Sequence, residues 1–316
     1  MSILVTGIAG FIGSNFAKRF MHARPRVPII GIDDLSNGRA EAVPHGATLY
    51  RGSICDRELL ARVFKNHAPS YVFHFAALPR VAYSVEHPRE SAEANVMGTL
   101  TLLEAAAKSG VQRLIFSSSS SAYGNSTTLP TRESAPPDPR SPYALQKYMG
   151  ELLCRQWSEL YGLDTVCLRY FNVYGPGQRG DSPYSTVIAA WLETLFTNDA
   201  KTPYLEGDGG QSRDFCFVDD VAEANMLAMR AAKPFSGMTI NIAGGTSVSL
   251  LALKSEIERS TGKRLELEHR PPRIGDVRAT RADTRKARRL LGFRARTPLK
   301  KGLAKTVRWF RGREKR

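Results

Sequence analysis

The sequence predicts an α/β protein: a doubly wound parallel sheet followed by a smaller, mixed α/β C-terminal domain. Three observations predict it. Short β-branched runs alternate with amphipathic stretches through the first half of the chain, which is the pattern of βαβ units. The strand-like runs are apolar throughout rather than alternating, so their sheet is covered on both faces. A glycine-spaced turn follows the first run directly. The 316 residues suffice for one large or two modest domains with a sizeable core.

In chain order, residues 1–5 read as the first strand and 14–23 as a helix with apolar residues at helical spacing. Strands follow at 28–32, 71–75, 113–117 and 165–169, separated by helices at 57–65, within 89–109 and at 143–161. Beyond Asn172 the texture changes. Gly175, Pro176, Gly177 and Gly180 mark a loop. A helical stretch and a glycine-rich turn at 206–210 come next, then a helix at 219–232 and a strand at 239–242. Two further helical patterns, 250–260 and 284–291, flank a Pro/Arg-rich segment. These elements divide the chain into a first domain over 1–172, to which 214–245 returns, and a second over 173–213 and 246–316.

The glycine turn carries the first chemical signal. Thr6-Gly7-Ile8-Ala9-Gly10-Phe11-Ile12-Gly13 sits between a strand and a helix. Glycines there permit the tight turn and let backbone N–H groups reach a pyrophosphate at the positive end of the helix. The next strand ends in Asp33, 20 residues past Gly13. A carboxylate at that point accepts from a ribose 2′-hydroxyl and repels a 2′-phosphate. The pair points to a Rossmann-type domain that prefers NAD to NADP.

Three segments follow strands, where a parallel sheet opens its ligand crevice. They are the serine run Ser117 to Ser121, the helix start Tyr143-Ala144-Leu145-Gln146-Lys147, and Arg169-Tyr170-Phe171-Asn172. Tyr143 and Lys147 are four apart and share a helix face. A neighbouring ammonium stabilises a phenolate, so Tyr143 is expected to have a lowered pKa and to serve as a base.

Taken together, the motifs T-G-x-x-G-F-I-G, H-F-A-A, S-S-S-x-x-Y-G, S-P-Y-x-x-x-K, R-Y-F-N-V-Y-G-P, S-R-D-F and R-x-G-D with D-x-x-K resemble one group of proteins. The chain is similar to the nucleotide-sugar epimerase/dehydratase branch of the extended short-chain dehydrogenases, from Ile3 to about Asp283. That resemblance implies an enzyme with NAD as cofactor. It implies Tyr143 as the base, Lys147 on the nicotinamide ribose, and Ser119 bonded to the reacting sugar hydroxyl. Gly7, Gly10, Phe11, Ile12, Gly13, Asp33, Asn37, Ile54, Ser117 and Tyr170 would contact the cofactor, with Asn95 and Phe75-Ala76-Ala77 lining it. Asn172 and Arg213 would hold the diphosphate. Arg273 and Asp276 would bind the phosphates and uridine ribose, and Arg80, Ser121, Gln178, Val187 and Thr280 would line the sugar and nucleotide pocket. One departure is visible: Ser53 stands where the family has an Asp that contacts adenine, and a serine still accepts a hydrogen bond.

Epimerases, dehydratases and decarboxylases of this group all begin by oxidising carbon 4 of the sugar. The later branches need carboxylates that the family supplies just before V-Y-G, where this sequence has Ser120 and Ser121. A serine is neither a strong acid nor a strong base near neutral pH. The resemblance therefore implies 4-epimerisation of a UDP-sugar. Thr280, Gln178 and Pro79-Arg80 match the subgroup acting on N-acetylated sugars, UDP-N-acetylglucosamine and UDP-N-acetylgalactosamine. UDP-glucose/galactose and UDP-glucuronate remain alternatives. The analogy also implies a homodimer through the helices within 89–109 and 143–161.

The net charge of +15 is concentrated at one end. From Arg259 to Arg316 there are 21 Lys and Arg against five acids, so the rest of the chain is nearly neutral. The bland reading is a solvated helical face and a frayed tail from Arg308. The alternative is a non-catalytic NAD-binding protein whose basic tail meets nucleic acid or membrane. Nucleic-acid binding is not expected, because Trp309 and Phe310 are the tail's sole aromatics. The four cysteines and six histidines show no ligand spacing, so no metal is expected. No apolar run is long enough for stable membrane insertion, no signal peptide is recognisable, and a cytoplasmic location is the expectation.

Overall fold

In the computed structural model the chain is described for residues 1–79, 81–126, 128–181, 185–197, 202–271 and 277–314. Strand β1 (Ile3–Thr6) leads into helix α1 (Phe11–Ala23), and β2 (Ile29–Asp33) into β3 (Thr48–Arg51). Helix α2 (Arg57–His67) precedes β4 (Tyr71–His74). Helices α3 (Val81–Glu86) and α4 (Pro88–Ala92) then run through a π-turn (Glu93–Met97) into α5 (Gly98–Lys108). Strand β5 (Arg113–Ser119), helix α6 (Pro142–Tyr161), β6 (Asp164–Tyr170) and β7 (Val173–Tyr174) follow.

The later chain contains α7 (Val187–Phe196), β8 (Tyr204–Glu206), β9 (Ser212–Asp214), β10 (Cys216–Phe217) and α8 (Val218–Arg230). It continues with β11 (Met238–Ile242), β12 (Ser247–Ser249), α9 (Leu250–Thr261) and β13 (Glu268–Arg270). Helices α10 (Arg285–Leu291) and α11 (Leu299–Glu314) complete it.

The central sheet is seven-stranded, in the order β11-β6-β5-β4-β1-β2-β3. Every one of its pairings is parallel. The order reverses between β1 and β4, and that switch point opens a crevice beyond the strand C-termini. The strands are buried because both faces are covered. One face packs Phe16, Phe20 and Val221 from α1 and α8 onto β1 and β6, joined by Ala287 and Leu291 of α10. The other packs Leu59, Val63, Leu102 and Cys154 from α2, α5 and α6. Helix α6 starts where its sequence says it must: Ser141 Oγ accepts from the Ala144 N–H, and Pro142 fixes the first turn. It ends at Gly162, whose φ of 70° suits glycine.

A third core joins α7, α9 and α11 through Trp191, Leu192, Leu253, Ile257, Leu303, Val307 and Phe310. This corrects the frayed tail expected from Arg308. Residues 303, 307 and 310 repeat at helical spacing, and Phe310 stacks on Phe196 with ring centroids 6.4 Å apart. The expected helix within 89–109 runs without interruption from Pro88 to Lys108, with a π-turn at Glu93–Met97. Strand β3 was not anticipated, because it is short, at a sheet edge, and only half-buried. Among the described residues all four cysteines are free, no group of metal-ligand side chains exists, and no helix is long and apolar enough to cross a membrane.

Candidate active site

A cleft of about 1670 Å³ runs along the C-terminal edge of the sheet and under the third core. One end is the glycine turn. Gly7 has φ of 70°, and a Cβ there would lie 2.6 Å from the Ala76 nitrogen. A Cβ on Gly13 would lie 2.1 Å from the Gly7 carbonyl oxygen. Both positions therefore require glycine. Asp33 backs the turn: its carboxylate accepts from the Ala9 N–H at 2.8 Å and from the Leu35 N–H at 2.9 Å. Burial pushes the Asp33 carboxyl up, and those N–H donors oppose the shift. Gly10, Phe11, Ile12, Asn37, Ser53, Ile54, Phe75, Ala76 and Ala77 complete this end of the wall. Ser53 Oγ accepts from the Cys55 N–H.

At the centre, α6 presents Tyr143, Lys147 and Glu151 to three consecutive serines of β5. Ser119 lies near the Tyr143 hydroxyl and favours its ionised form. Lys147 Nζ donates to the Ser117 carbonyl at 2.8 Å and lies 5.0 Å from the Phe116 ring centroid. Ser118 Oγ donates to Glu151 at 2.5 Å. Glu151 in turn receives Arg169 through Nε at 2.6 Å and Nη2 at 2.5 Å. Ser121 Oγ donates to Ser119 Oγ at 2.9 Å.

The expected lowering of the Tyr143 pKa is corrected. Burial pushes its hydroxyl up to about 12, with only Ser119 acting against it. Burial likewise lowers Lys147 to about 8. The reason is geometric: the ammonium is aimed at the Ser117 carbonyl, and both groups have lost their water.

At the far end lie Tyr170, Asn172, Gln178, Arg213 and Thr280. Tyr170 Oη bonds Ser117 Oγ at 3.2 Å and Asn225. Asn172 has φ of 24°, and its amide donates to the Asp214 carbonyl at 3.0 Å and to Thr280 Oγ1 at 3.4 Å. Thr280 Oγ1 also accepts from the Asp214 N–H at 3.0 Å. Asp214 ties this corner together, its carboxylate accepting from the N–H groups of Gly245 and Ala282. Burial pushes that carboxyl up to about 6, while the N–H donors oppose it. Buried Gln178 donates to the Val173 carbonyl, but its Oε1 has no partner among the described residues.

Three expected residues sit elsewhere. Asn95 is off the wall: buried in the π-turn, it braces the neighbouring loop through both backbone groups of Leu78 and through Gln146. Val187 opens α7 and packs against the third core. Ser117 faces Lys147 and Tyr170 rather than the cleft. Arg80, Arg273 and Asp276 lie outside the described residues.

The NAD dependent epimerase/dehydratase family model matches residues 3–243. The chain belongs to that family. UDP-glucose 4-epimerase of Mycolicibacterium smegmatis is 38% identical over 323 residues, covering 99% of each chain. The crystal structure of UDP-glucose 4-epimerase from Thermotoga maritima, with UDP-glucose, superposes with a TM-score of 0.93 at 39% identity and 99% coverage of both. UDP-N-acetylglucosamine 4-epimerase from Methanobrevibacter ruminantium, in complex with UDP-N-acetylmuramic acid, gives 0.91 at 33% identity, covering 99% and 98%.

The residues fit the cofactor of this NAD-dependent family. No side chain caps α1 at Gly10, so its first-turn N–H groups face the cradle that a Cβ at Gly7 or Gly13 would fill. Asp33 stands beside that cradle, where a 2′-phosphate would meet a carboxylate.

Sequence reasoning missed several residues of this epimerase/dehydratase cleft. Asn15 donates to the Phe11 and Pro176 carbonyls, joining α1 to the loop after β7. Trp309 and Arg313 of α11 belong to the cleft wall. The signal was present, since 309 and 313 are i and i+4 on a helix whose apolar stripe is plain.

Proposed function

We propose that this chain is a 4-epimerase of UDP-sugars and that its pocket admits a 2-acetamido hexose, as in UDP-N-acetylglucosamine and UDP-N-acetylgalactosamine. The observation that carries the reading is the centre of the cleft. Tyr143 and Ser119 share the cleft wall, and the adjoining loop offers hydroxyls but no carboxylate. Dehydration or decarboxylation has no acid or base to call on there, whereas epimerisation needs none beyond the tyrosine. Similarity to UDP-glucose and UDP-N-acetylglucosamine 4-epimerases supports the substrate class.

Bound NAD, held by the turn of Gly7, Gly10 and Gly13 and by Asp33, supplies the acceptor and returning donor of hydride. As the phenolate, which burial disfavours and positive charge from Lys147 and the bound cofactor would favour, Tyr143 takes the proton of the sugar 4-hydroxyl and gives it back once the ring has turned. Ser119 orients that hydroxyl. Lys147 contributes positive charge behind the tyrosine and holds the Ser117 backbone in place. Arg213 binds the diphosphate, and Gln178 lines the substrate end of the cleft. The small Thr280 leaves room beside carbon 2.

The test is proton NMR of the purified protein, with no added cofactor, on UDP-N-acetylglucosamine, UDP-glucose and UDP-glucuronate in turn. Conversion of the first to its galacto epimer is expected. Tyr143→Phe is expected to lower turnover by about 100-fold or more, the scale of a lost acid–base group, with UDP binding retained. Turnover of UDP-glucose alone would remove the acetamido assignment, and unchanged turnover in Tyr143→Phe would remove the tyrosine from its role.

A homodimer belongs to the same reading. Leu145, Met149 and Leu152 form an exposed apolar row on α6, with Met97 beside α5. Their i, i+4, i+7 spacing lies on one helix face, and a second copy is the occupant that the family analogy assigns to it.

A further inference from the structure

The loop after β7 carries Gln178 and Arg179 into the cleft wall, and it is held from two sides. On the side of the glycine turn, Asn15 donates to the Pro176 carbonyl at 2.9 Å. On the opposite side the Gly180 N–H donates to Glu193 Oε2 of α7 at 3.2 Å. The backbone is pressed onto that helix, since a Cβ on Gly180 would lie 2.1 Å from the Ala189 carbonyl oxygen and 2.5 Å from Glu193 Cβ. Glu193 is only 5% exposed. A carboxylate so buried needs a cation, and its partner comes from a helix more than a hundred residues away. Arg313 Nη1 of α11 reaches Glu193 Oε2 at 3.0 Å. Its guanidinium also lies over the Trp309 ring, 5.1 Å from the centroid, and Trp309 is itself anchored beside Phe310 of the third core.

We propose that Arg313 is a positioning residue: by pairing with Glu193 it fixes the Gly180 N–H, and so sets the loop that offers Gln178 to the sugar-nucleotide. The last helix thereby acts on substrate binding without supplying the base or the cofactor cradle. The inference rests on the reading of the cleft as a UDP-sugar site for its kinetic consequence, but its structural core does not.

The experiment therefore has two arms, run on the full chain as wild type, Arg313→Ala, Arg313→Lys and Glu193→Gln. The first arm is amide hydrogen exchange across residues 175–181. Removing one partner of a buried ion pair uncouples the other, so exchange in this loop is expected to rise about tenfold in Arg313→Ala, with α6 and the central sheet unchanged. Arg313→Lys is expected to restore most of the protection, and Glu193→Gln to behave like Arg313→Ala. The second arm is steady-state kinetics on whichever UDP-sugar the wild type turns over. KM is expected to rise about five- to tenfold with kcat within twofold, the pattern of lost uniform binding.

Unchanged loop exchange in Arg313→Ala overturns the proposal, whatever the substrate. A loosened loop with an unmoved KM overturns it too, and so does a fall in kcat and NAD content at constant KM. If the wild type turns over no UDP-sugar, the proposed function fails, and the exchange arm alone decides the role of Arg313.

Discussion

Thr280 is proposed as a gate by size, but its hydroxyl is also occupied. Oγ1 accepts from the Asp214 N–H and from the Asn172 amide. A bulky residue there has two effects, loss of space and loss of an acceptor, and they are separable. Thr280→Val keeps the volume and removes the hydroxyl; Thr280→Tyr fills the space. If the gate argument holds, Thr280→Tyr lowers kcat/KM for an N-acetylated UDP-sugar about 10- to 200-fold, the range of steric discrimination in a pocket. The same variant keeps more activity on plain UDP-glucose, while Thr280→Val affects both sugars alike. Equal losses on the two sugars in Thr280→Tyr would leave Thr280 as an anchor and no gate. At this scale the sequence was informative about residue types and less so about their surroundings. The glycines, Asp33, Ser119, Tyr143 and Thr280 were all legible as residues. The raised Tyr143 hydroxyl was not, because spacing reports neighbours and cannot report desolvation. The bracing bonds of Asn95 to Leu78 and Gln146 were not legible either, because a π-turn rotates the helix face on which the side chain emerges.

Among the elements, α6 does the most. Its residues 143, 147 and 151 sit four apart; Tyr143 lies near Ser119, and Lys147 and Glu151 hydrogen-bond Ser117 and Ser118 of β5. The last of the three belongs to a buried ion pair, with side-chain exposures of 4% for Arg169 and 3% for Glu151. Arg169 also lies 4.3 Å from the Tyr123 ring centroid, and its Nη1 has no partner among the described residues. Little is left to hold the guanidinium once Glu151 is gone. Glu151→Ala is expected to destabilise the fold by about 3–5 kcal/mol, the cost of stranding one member of a buried pair. Urea unfolding with an unchanged slope measures it. A loss under about 1 kcal/mol would mean that water enters and solvates Arg169. The sequence showed the helix and its Tyr–Lys pair but not this third grip. Glu151 is one acid among several in a helical stretch, and nothing in its spacing says that it meets Arg169 of β6, 18 residues on.

Across the whole molecule, the parallel character of the sheet follows from the alternation of apolar runs and helices and was readable, whereas its strand order was not. The third core was not, because its parts are scattered: α7, α9 and α11 meet only after the chain has crossed back to the sheet at β11. The basic excess of the last 58 residues drew attention to charge, when the apolar stripe of Leu303, Val307 and Phe310 decides how α11 packs. The exposed row on α6 bears on assembly. If the proposed dimer forms through this row, Met149→Arg is expected to convert it to a monomer by light scattering, since an unpaired charge at the centre of an apolar contact is strongly disfavoured. A dimer of unchanged mass would move the contact to another face.

The corner at Asp214 has a consequence in time rather than in space. Asn172, Asp214, Gly245 and Ala282 are spread over more than a hundred residues, yet they are joined through the backbone and carboxylate of one residue. Contacts of such long range carry a loop-closure cost and form late. As the chain leaves the ribosome, the glycine turn and the first six parallel strands have all their residues by Tyr170. The far end of the cleft lacks Ala282 until more than a hundred further residues have been added. Synthesis therefore passes through an interval in which the glycine turn and six strands have been made while α8, β11 and the Asp214 corner have not. The glycine-turn end of the cleft has all its residues well before the far end does.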